Sequence, residues 1–301
     1  MPPPVLASPA AYKDPLLGAT LEGRFVIDAY LARGGMGRIY RGRQLPLGRV
    51  CAVKVLHPAL QDDQRLDFHQ RFFLEASTAA KLTHPNTVTI FDYGTTKDGL
   101  YYMVMEYLDG RTLRVAITKE SPFSEERTLH VARQICRSLR EAHGIGVIHR
   151  DLKPANIFLL EHGDETDVVK VLDFGLVKNM TSGGDEPQTA TGVCMGSPKY
   201  MAPEQITGAP VDGRTDVYAL GVLMYEMLTG HVPFDRGNGM STIMAHVNDE
   251  VPSLRQARAH AGLDLSAELE HVVMRCLAKE REQRFGSMDE VLQALRFTGR
   301  V

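Results

Sequence analysis

One eight-residue stretch decides how this chain is read: His149-Arg150-Asp151-Leu152-Lys153-Pro154-Ala155-Asn156. Asp151 can accept a proton from an attacking hydroxyl, and Lys153 can neutralise charge on a phosphate that is being transferred. Asn156 offers a hard oxygen of the kind that Mg²⁺ prefers. Phosphoryl transfer requires positioning, metal charge and a group that orients the nucleophile, so the stretch predicts this chemistry.

A second acidic residue follows this stretch at the end of an apolar segment. The segment reads Val168-Val169-Lys170-Val171-Leu172-Asp173 and continues into Phe174-Gly175. Together with Asn156, Asp173 offers a second oxygen ligand for a metal ion.

Length and composition indicate a globular protein with two packed lobes. The chain has 301 residues, of which 44% are hydrophobic and 24% are charged, and its net charge is −3. This balance argues against a broad nucleic-acid-binding face. The four cysteines are dispersed and form no CxxC pair, which indicates core thiols and predicts neither disulfides nor a zinc site: Cys51, Cys136, Cys194 and Cys276.

No segment of the sequence is expected to span a membrane. The most apolar stretch, from Val217 to Leu228, is too short and carries Glu226. Residues 1–4 read Met-Pro-Pro-Pro, where a signal peptide would show positive charge followed by an apolar run. We therefore expect a cytoplasmic protein. Residues 1–19 are rich in Pro and Ala and predict a mobile tail.

Glycines between two strand-like segments indicate a loop that lies close over a ligand. A strand is predicted from Phe25 to Leu31, and Gly34, Gly35 and Gly37 follow it. Glycine lets backbone N–H groups point at phosphate oxygens. Taken alone, the stretch would be better explained as an ordinary Gly-rich hairpin.

A lysine in the middle of an apolar strand favours phosphate binding as the function of that loop. Lys54 lies within the predicted strand Val50–Leu56, and a helix predicted over residues 67–82 carries Glu75, with Arg71 four residues earlier on the same face. A Lys54–Glu75 ion pair would hold the lysine toward nucleotide phosphates.

The remaining elements change from strands to helices near residue 108. Strands are predicted over Thr87–Tyr93 and Leu100–Met105, with a connector at residues 106–110. A helix begins after Ser124, and its apolar stripe predicts core residues Leu129, Ala132, Ile135, Leu139 and Ala142. Short strands are expected at Val147-Ile148 and Ile157–Leu160, a buried helix at Asp216–Thr229, and surface helices at Ser266–Ala278 and Ser287–Leu295.

Together these stretches resemble the protein kinase catalytic domain, particularly the eukaryotic-like serine/threonine kinases of bacteria. The resemblance covers roughly Phe25 to Arg296. It implies an α+β fold of two lobes, with a β-rich first lobe that contains one main helix and a mostly helical second lobe. The expected domains are a tail at residues 1–19 and a kinase domain at 20–300, divided into lobes at 20–108 and 109–300.

The resemblance also implies a role for each matching residue. Asp151 looks like the catalytic base, Lys153 contacts the γ-phosphate, Lys54 holds the α/β-phosphates and pairs with Glu75, and Asn156 and Asp173 bind the metal. ATP with Mg²⁺, for which Mn²⁺ may substitute, is the expected cofactor set. The expected nucleotide-binding residues are Leu31, Ala32, Gly34, Gly35, Gly37, Ile39, Ala52, Lys54, Met105, Glu106, Leu108 and Phe158. Ala32 departs from the family pattern, which has glycine there.

Further residues look architectural. Glu204 is expected to pair with Arg284, and Asp216 resembles the buried acid that anchors the catalytic-loop backbone. Ser197 stands where Thr is commoner, and its hydroxyl would bridge Asp151 and Lys153. Lys153 and the residues before Ala202-Pro203-Glu204 resemble serine/threonine kinases, which implies Ser/Thr hydroxyls of proteins as acceptors.

The segment between Asp173 and Glu204 indicates regulation. A phosphate on Thr189 or Thr191 would add negative charge that a basic pocket can bind. Arg71, Arg150 and Lys178 are the expected pocket residues. The hypothesis is that autophosphorylation orders this segment and draws the Glu75 helix inward.

Partners and alternative functions follow from the same resemblance. Protein substrates are expected, without nucleic acid, and kinases of this bacterial group can form back-to-back homodimers through their first lobes. Arg24 and Asp92 are candidate cross-dimer partners by position. Two other functions stay open: a pseudokinase-type ATP-binding scaffold, which only Ala32 favours, and a small-molecule kinase, which typically lacks the Ala202-Pro203-Glu204 segment.

Overall fold

The computed structural model describes residues 14–34, 37–56, 62–174, 198–259 and 264–298. They form the mixed α+β fold predicted from the sequence. The chain divides into two compact units: the first lies within residues 1–61 and 90–107, and the second within residues 62–89 and 108–301. Residues 62–89 thus group with the second unit, whereas the predicted first lobe ran without interruption to residue 108.

The first unit is built on a six-stranded sheet in which every neighbouring pair is antiparallel, in the order β1-β2-β3-β4-β6-β5. Its strands are β1 Thr20–Leu21, β2 Phe25–Gly34, β3 Gly37–Gln44, β4 Arg49–Leu56, β5 Ile90–Thr95 and β6 Tyr101–Glu106. Side chains alternate between the two faces of a strand, so Phe25 and Ile27 both reach the core from β2. They pack there with Tyr40, Val53 and Val104.

Gly37 is needed for the close approach of β3 to β4. A Cβ atom on this residue would lie 2.1 Å from the carbonyl oxygen of Val55. No side chain fits at that distance, because the obstacle is backbone that the sheet holds in place. The packing of the sheet therefore explains this glycine without any ligand.

The first unit includes residues that the sequence assigned to a mobile tail. Asp14 accepts hydrogen bonds from Arg38 at 2.9 Å and from the hydroxyl of Tyr40 at 2.8 Å. These contacts lower the pKa of Asp14, although burial of its carboxyl group opposes them. Residues 14–19 therefore join the fold, whereas the sequence predicted a mobile tail to residue 19.

The second unit combines nine helices, within the described residues, with a three-stranded antiparallel sheet in the order β7-β8-β9. The strands are β7 Gly110–Thr112, β8 Ile157–His162 and β9 Glu165–Val171. The helices are α1 Asp62–Ala79, α2 Leu113–Glu120, α3 Glu125–Gly144, α4 Pro203–Thr207, α5 Gly213–Thr229, α6 Gly239–Asn248, α7 Leu254–Ala259, α8 Ala267–Cys276 and α9 Met288–Phe297.

Helices α3 and α5 form the centre of the apolar core. Ser124 caps α3 by accepting a hydrogen bond from the amide of Arg127, as its position before Glu125 predicts. All five residues of the predicted stripe on α3 are buried. Every residue of α5 from Thr215 to Leu228 is buried as well. Within the described ranges, no helix is long and apolar enough to cross a membrane.

The strand predicted over Thr87–Tyr93 is interrupted. Regular pairing with β6 begins only at Ile90, because Thr87 and Val88 pair instead with the end of β9. The amide of Val88 donates to the carbonyl of Val171 at 3.0 Å. A local apolar pattern cannot tell which sheet a segment will join, so this division was not predictable.

One further local prediction was wrong. Val147-Ile148 forms no strand, and this stretch is the irregular backbone that leads from α3 to His149. The predicted surface helices correspond to α8 and α9, each of which exposes one face. Their other faces are apolar and contribute buried side chains to the main core, including Leu269, Val273 and Leu295.

We predict that Gly221→Ala destabilises the second unit, because α5 and α8 approach closely at this residue. A Cβ atom on Gly221 would lie 2.8 Å from the Cβ atom of Cys276. The added methyl group should lower the free energy of unfolding by about 1–3 kcal/mol, measured by urea denaturation.

Gly144→Ala is the matched control, since it is also a helical glycine but a Cβ atom there would have no neighbour within 4 Å. Its free energy of unfolding should stay unchanged or rise by up to about 1 kcal/mol. Equal destabilisation by both substitutions would contradict the packing argument.

Candidate active site

The carboxylate of Asp216 holds the backbone of the loop that joins α3 to β8. It accepts hydrogen bonds from the amides of His149 at 2.8 Å and Arg150 at 2.9 Å. The Nε2 atom of His143 lies 2.8 Å from the same carboxylate. Asp216 is completely buried, so its charge depends on these donors for compensation. These bonds fix the loop backbone at the two residues that precede Asp151.

Arg150 adopts a backbone conformation that is uncommon for a residue with a side chain. Its φ is 61°, in the left-handed region. Such a conformation persists where the surrounding structure imposes it. Here Asp216 accepts the Arg150 amide, and Gln205 Nε2 donates to the Arg150 carbonyl at 2.9 Å. Helices α5 and α4 therefore both hold this turn.

Asp151, Lys153 and Asn156 converge, as the opening stretch of the sequence predicted for one site. Lys153 Nζ donates to Asp151 Oδ2 at 2.7 Å, and Asn156 Nδ2 donates to the Asp151 carbonyl at 2.9 Å. The side chains of Asp151 and Lys153 are 21% and 23% exposed, so both remain within reach of a ligand. Their roles as base and phosphate contact stay predictions.

His149 links this loop to Asp173. Its Nε2 atom donates to the carbonyl of Leu172 at 2.8 Å, and its ring packs on Phe174 with 4.9 Å between ring centroids. The amide of Leu172 donates to the carbonyl of Asn156 at 2.9 Å. The residues on both sides of Asp173 are therefore attached to the loop. Asp173 itself has a φ of 52°, a second left-handed residue in this site.

The oxygen atoms of Asn156 and Asp173 fit a divalent cation that also binds phosphate. Asn156 uses its amide nitrogen toward Asp151, which leaves its Oδ1 atom without a hydrogen bond among the described residues. Within the same residues, no three His, Cys, Asp or Glu side chains gather as a metal cluster. Mg²⁺ commonly uses one or two protein oxygens together with substrate phosphates, so a small protein ligand set is compatible with it.

A buried ion pair lies behind the loop. Arg284 donates to both carboxylate oxygens of Glu204 at 2.8 Å, and Thr215 Oγ1 donates to one of them at 2.8 Å. Burial opposes ionisation of Glu204, but these hydrogen bonds and the Arg284 charge outweigh it and lower the pKa of Glu204. The pair expected between Glu204 and Arg284 is thus present in the structure.

The structure contains a second polar cluster that the sequence did not predict. The hydroxyl of Tyr200 donates to Glu226 at 2.7 Å, and Arg114 donates to Glu226 at 2.8 Å. Burial and the nearby Glu226 carboxylate raise the pKa of Tyr200. These residues lie far apart in the chain and share no short motif. An acid inside the apolar helix α5 was the one available signal.

The predicted nucleotide-binding residues of the first unit lie on β2, β3, β4 and β6. Lys54 is half-buried and pairs across the sheet with Ile39 and Met103. Ala52 pairs with Met105, and Ala32 pairs with Ile39 next to an irregularity of β2. The remaining predicted positions are Leu31, Gly34 and Gly37 in the hairpin strands, Glu106 at the end of β6, and, in the second unit, Leu108 and Phe158.

Several predicted residues fall outside what the structure describes. The structure does not describe the side chains of Arg71 and Glu75 in α1, so it does not describe the predicted Lys54–Glu75 ion pair. The same holds for five residues of the hairpin tip and the regulatory segment: Gly35, Lys178, Thr189, Thr191 and Ser197.

Comparison with known proteins places the chain in a family. Residues 25–296 match the family model for the protein kinase domain. This match covers most of the chain, so the chain belongs to the protein kinase domain family.

Curated relatives of the chain include bacterial kinases. "Serine/threonine-protein kinase pkn3" of Myxococcus xanthus is 38% identical over 277 residues, covering 92% of this chain and 50% of that protein. "Serine/threonine-protein kinase PknB" of Mycobacterium tuberculosis is 40% identical over 274 residues, covering 90% of this chain and 42% of that protein. The chain thus spans half or less of the length of these relatives.

Solved structures agree with the family assignment. The crystal structure of the M. tuberculosis PknI kinase domain matches with a TM-score of 0.72 and 29% identity, and the match covers 94% of this chain and 98% of that one.

We predict that Glu204→Gln lowers stability in a pH-dependent manner. The substitution leaves the buried Arg284 charge uncompensated, so unfolding near pH 7 should become easier by roughly 3–5 kcal/mol. Because the pKa of folded Glu204 lies below its usual value of 4.5, the ionised carboxylate contributes its full stability above pH 4.5. This contribution is lost as pH falls through the folded pKa.

Urea unfolding of both proteins between pH 7 and pH 3 measures the difference. Glu268→Gln, an exposed change in the first turn of α8, serves as the control and should have little effect at any pH. A wild-type-to-Glu204→Gln difference that stays constant down to pH 3 would contradict an ionised Glu204.

Proposed function

We propose that the chain is an ATP-dependent serine/threonine protein kinase, which transfers the γ-phosphoryl group of ATP to Ser or Thr hydroxyls of proteins. The observation that carries the proposal is the cluster of Asp151, Lys153 and Asn156, held on a backbone that Asp216 fixes. Membership of the protein kinase family and the names of its bacterial relatives support it.

Asp151 orients the acceptor hydroxyl in the proposed reaction. The hydroxyl oxygen forms a bond to the γ-phosphorus, the bond between that phosphorus and the ADP oxygen breaks, and the hydroxyl proton passes to the Asp151 carboxylate. Lys153, whose Nζ lies 2.7 Å from Asp151, carries the positive charge that stabilises the transferring group. The Lys153 bond also holds the Asp151 carboxylate in one orientation.

Asn156 and Asp173 would hold a divalent cation, which we propose to be Mg²⁺ with Mn²⁺ as a substitute. When bound, such an ion neutralises phosphate charge. The amide oxygen of Asn156 and the placement of Asp173 by Leu172 and Phe174 support the assignment.

Nucleotide binding is proposed for the first unit as well. Lys54 would bind the α/β-phosphates with Glu75 as its partner, and the hairpin of β2 and β3 would contribute backbone N–H groups. Met105, Glu106 and Leu108 would meet the adenine. The close packing of Gly37 on β4 weakens the inference from that glycine, so Lys54 carries this part of the proposal.

Two other functions are less well supported. A pseudokinase scaffold would not need the Asp151–Lys153 pair, and the named relatives are kinases. A small-molecule kinase would not need the Glu204–Arg284 pair that fixes the start of α4. The cytoplasmic location and the back-to-back homodimer stay predictions. Arg24 and Asp92, proposed to pair across a dimer, bond to each other at 2.5 Å within one chain.

We predict that Asp151→Asn and Lys54→Met each reduce phosphoryl transfer by at least about a hundredfold, because the first removes the base and the second a phosphate-binding charge. Incubation with Mg·[γ-³²P]ATP and a generic protein acceptor measures the rate.

Asp98→Asn and Lys81→Met are matched controls, because they make the same chemical changes at exposed positions. Both should retain activity. Equal labelling in all variants would contradict the enzyme proposal, whereas ATP binding without transfer in the wild type would favour the scaffold.

We also propose autophosphorylation of Thr189, Thr191 or both, with Arg71, Arg150 and Lys178 as the phosphate-binding residues. Mass spectrometry of the active protein should find phosphate on one or both threonines and none in Asp151→Asn. The joint substitution of both threonines by Ala should lower activity, while Thr207→Ala, outside the segment, should not. An unmodified segment in fully active protein would refute the proposal.

A further inference from the structure

A large polar groove lies along α3 in the second unit and contains none of the residues proposed for catalysis. We call it the α3 groove; it encloses about 1360 Å³ and is lined by one face of α3 and by β7, β8 and β9. Sites for small ligands commonly measure about 300–1,000 Å³. The α3 groove is therefore large enough for a segment of another protein.

One end of the α3 groove is strongly basic. Arg133 donates to the carbonyl of Leu295 through Nη2, but its buried Nε atom has no hydrogen-bond partner among the residues that the structure describes. Burial, together with the nearby charges of Arg137 and Arg296, lowers the pKa of Arg133. Arg137 and Arg296 are exposed, and neither forms an ion pair with a side chain in the described ranges. Three guanidinium groups thus lie near one another, and none of them forms an ion pair with a carboxylate of the described residues.

The other end carries acids. Glu126, Glu161 and Glu165 line it, and all three are exposed. The neighbouring Asp167 is neutralised by Arg127, which donates to it at 2.6 Å. These three acids, unlike Asp167, form no ion pair with the side chains that the structure describes.

The order of contacts along α3 separates the two ends. Arg127 in the first turns of α3 contacts Asp167 near the start of β9, and Gln134, two turns later, contacts both Asp167 and Val169. Ser138, one turn further, contacts Thr87, which pairs with Val171 at the end of β9. Helix and strand therefore run in the same direction, with the acids at their beginning. A helix rises 1.5 Å per residue, which places Arg137 about 16 Å beyond Glu126 along α3.

We propose that the α3 groove binds an extended segment of a partner protein that has an anionic group at one end and Lys or Arg at the other. The anionic group, a phosphate or a carboxylate, would accept from the exposed Arg137 and lie beside the positive charge of Arg133, and charge-assisted bonds of this kind are strong. The basic residue would meet Glu161 and Glu165. An extended chain advances about 3.3 Å per residue, so the two charges should lie about five residues apart.

The charge pattern of the α3 groove favours a protein segment with both charges over a polyanion. A nucleic acid or an anionic membrane would meet the repulsive acids at Glu126, Glu161 and Glu165 in the same groove. A simple anion would use only the arginine end and leave the acidic end unexplained. The inference concerns binding alone and does not depend on the proposed phosphoryl transfer.

Fluorescence anisotropy with the full chain tests the proposal, using labelled pSer-Ala-Ala-Ala-Ala-Arg and the reverse sequence Arg-Ala-Ala-Ala-Ala-pSer. We expect saturable binding of at least one peptide, weakened by salt because charges dominate. Peptides with Glu in place of pSer identify whether carboxylate serves as well as phosphate. Peptides with Ser at that position should not bind.

Arg133→Gln combined with Arg137→Gln should weaken binding roughly ten- to hundredfold, since charge-assisted hydrogen bonds are lost. Arg140→Gln is the matched control: Arg140 is exposed on the same helix, pairs with Asp289 and does not line the groove. It should bind as the wild type does. Arg137→Gln alone changes only an exposed side chain, so it should fold normally and still weaken binding.

Glu161→Gln with Glu165→Gln tests the acidic end. This pair should weaken binding of the Arg-ended peptide but not of the same peptide ending in Ala. The proposal is overturned if neither peptide binds up to about 1 mM, a level that corresponds to very weak association. It is also overturned if Arg140→Gln matches the double arginine variant, or if inorganic phosphate competes as strongly as the unlabelled peptide.

Discussion

The buried carboxylate of Asp216 is the interaction on which the candidate site depends. It lies in the first turn of α5, where the helix dipole favours a negative charge. A buried carboxylate without donors would be strongly destabilising, and the amides of His149 and Arg150 would lose their acceptor if it were absent. The start of α5 and the loop before Asp151 therefore support each other. The position of Asp151 therefore depends more on the hydrogen bonds between Asp216 and the loop than on the loop residues themselves.

The second unit repeats this principle with several long-range polar contacts inside an apolar core. Glu204 and Arg284 are 80 positions apart in the chain, yet they form a bidentate buried pair. His149 likewise ties the loop to Leu172, and so to Asp173. Apolar packing of α3 and α5 brings these groups within reach, and hydrogen bonds then select one arrangement. Apolar contacts alone would tolerate many others.

Gly37 shows how one residue can satisfy two requirements. Its spacing in the glycine-rich stretch predicts contact with phosphate, but the carbonyl of Val55 already excludes any side chain there. A glycine in such a motif is therefore weak support for nucleotide binding. Lys54 is more informative, because the sheet does not need a charge at a half-buried position of β4.

The sequence alone was sufficient to predict the fold class and to propose the chemistry, because both depend on local order. Residues 149–156 contain the residues proposed to react, and the apolar stripe on α3 predicts the buried face of that helix. Only the tertiary structure decided which distant groups meet. It divided the predicted strand at Thr87 between two sheets, brought His143 and Gln205 to the loop, and gathered Arg133 with Arg296. Such contacts join residues far apart in the chain, and no local pattern of periodicity or spacing records them.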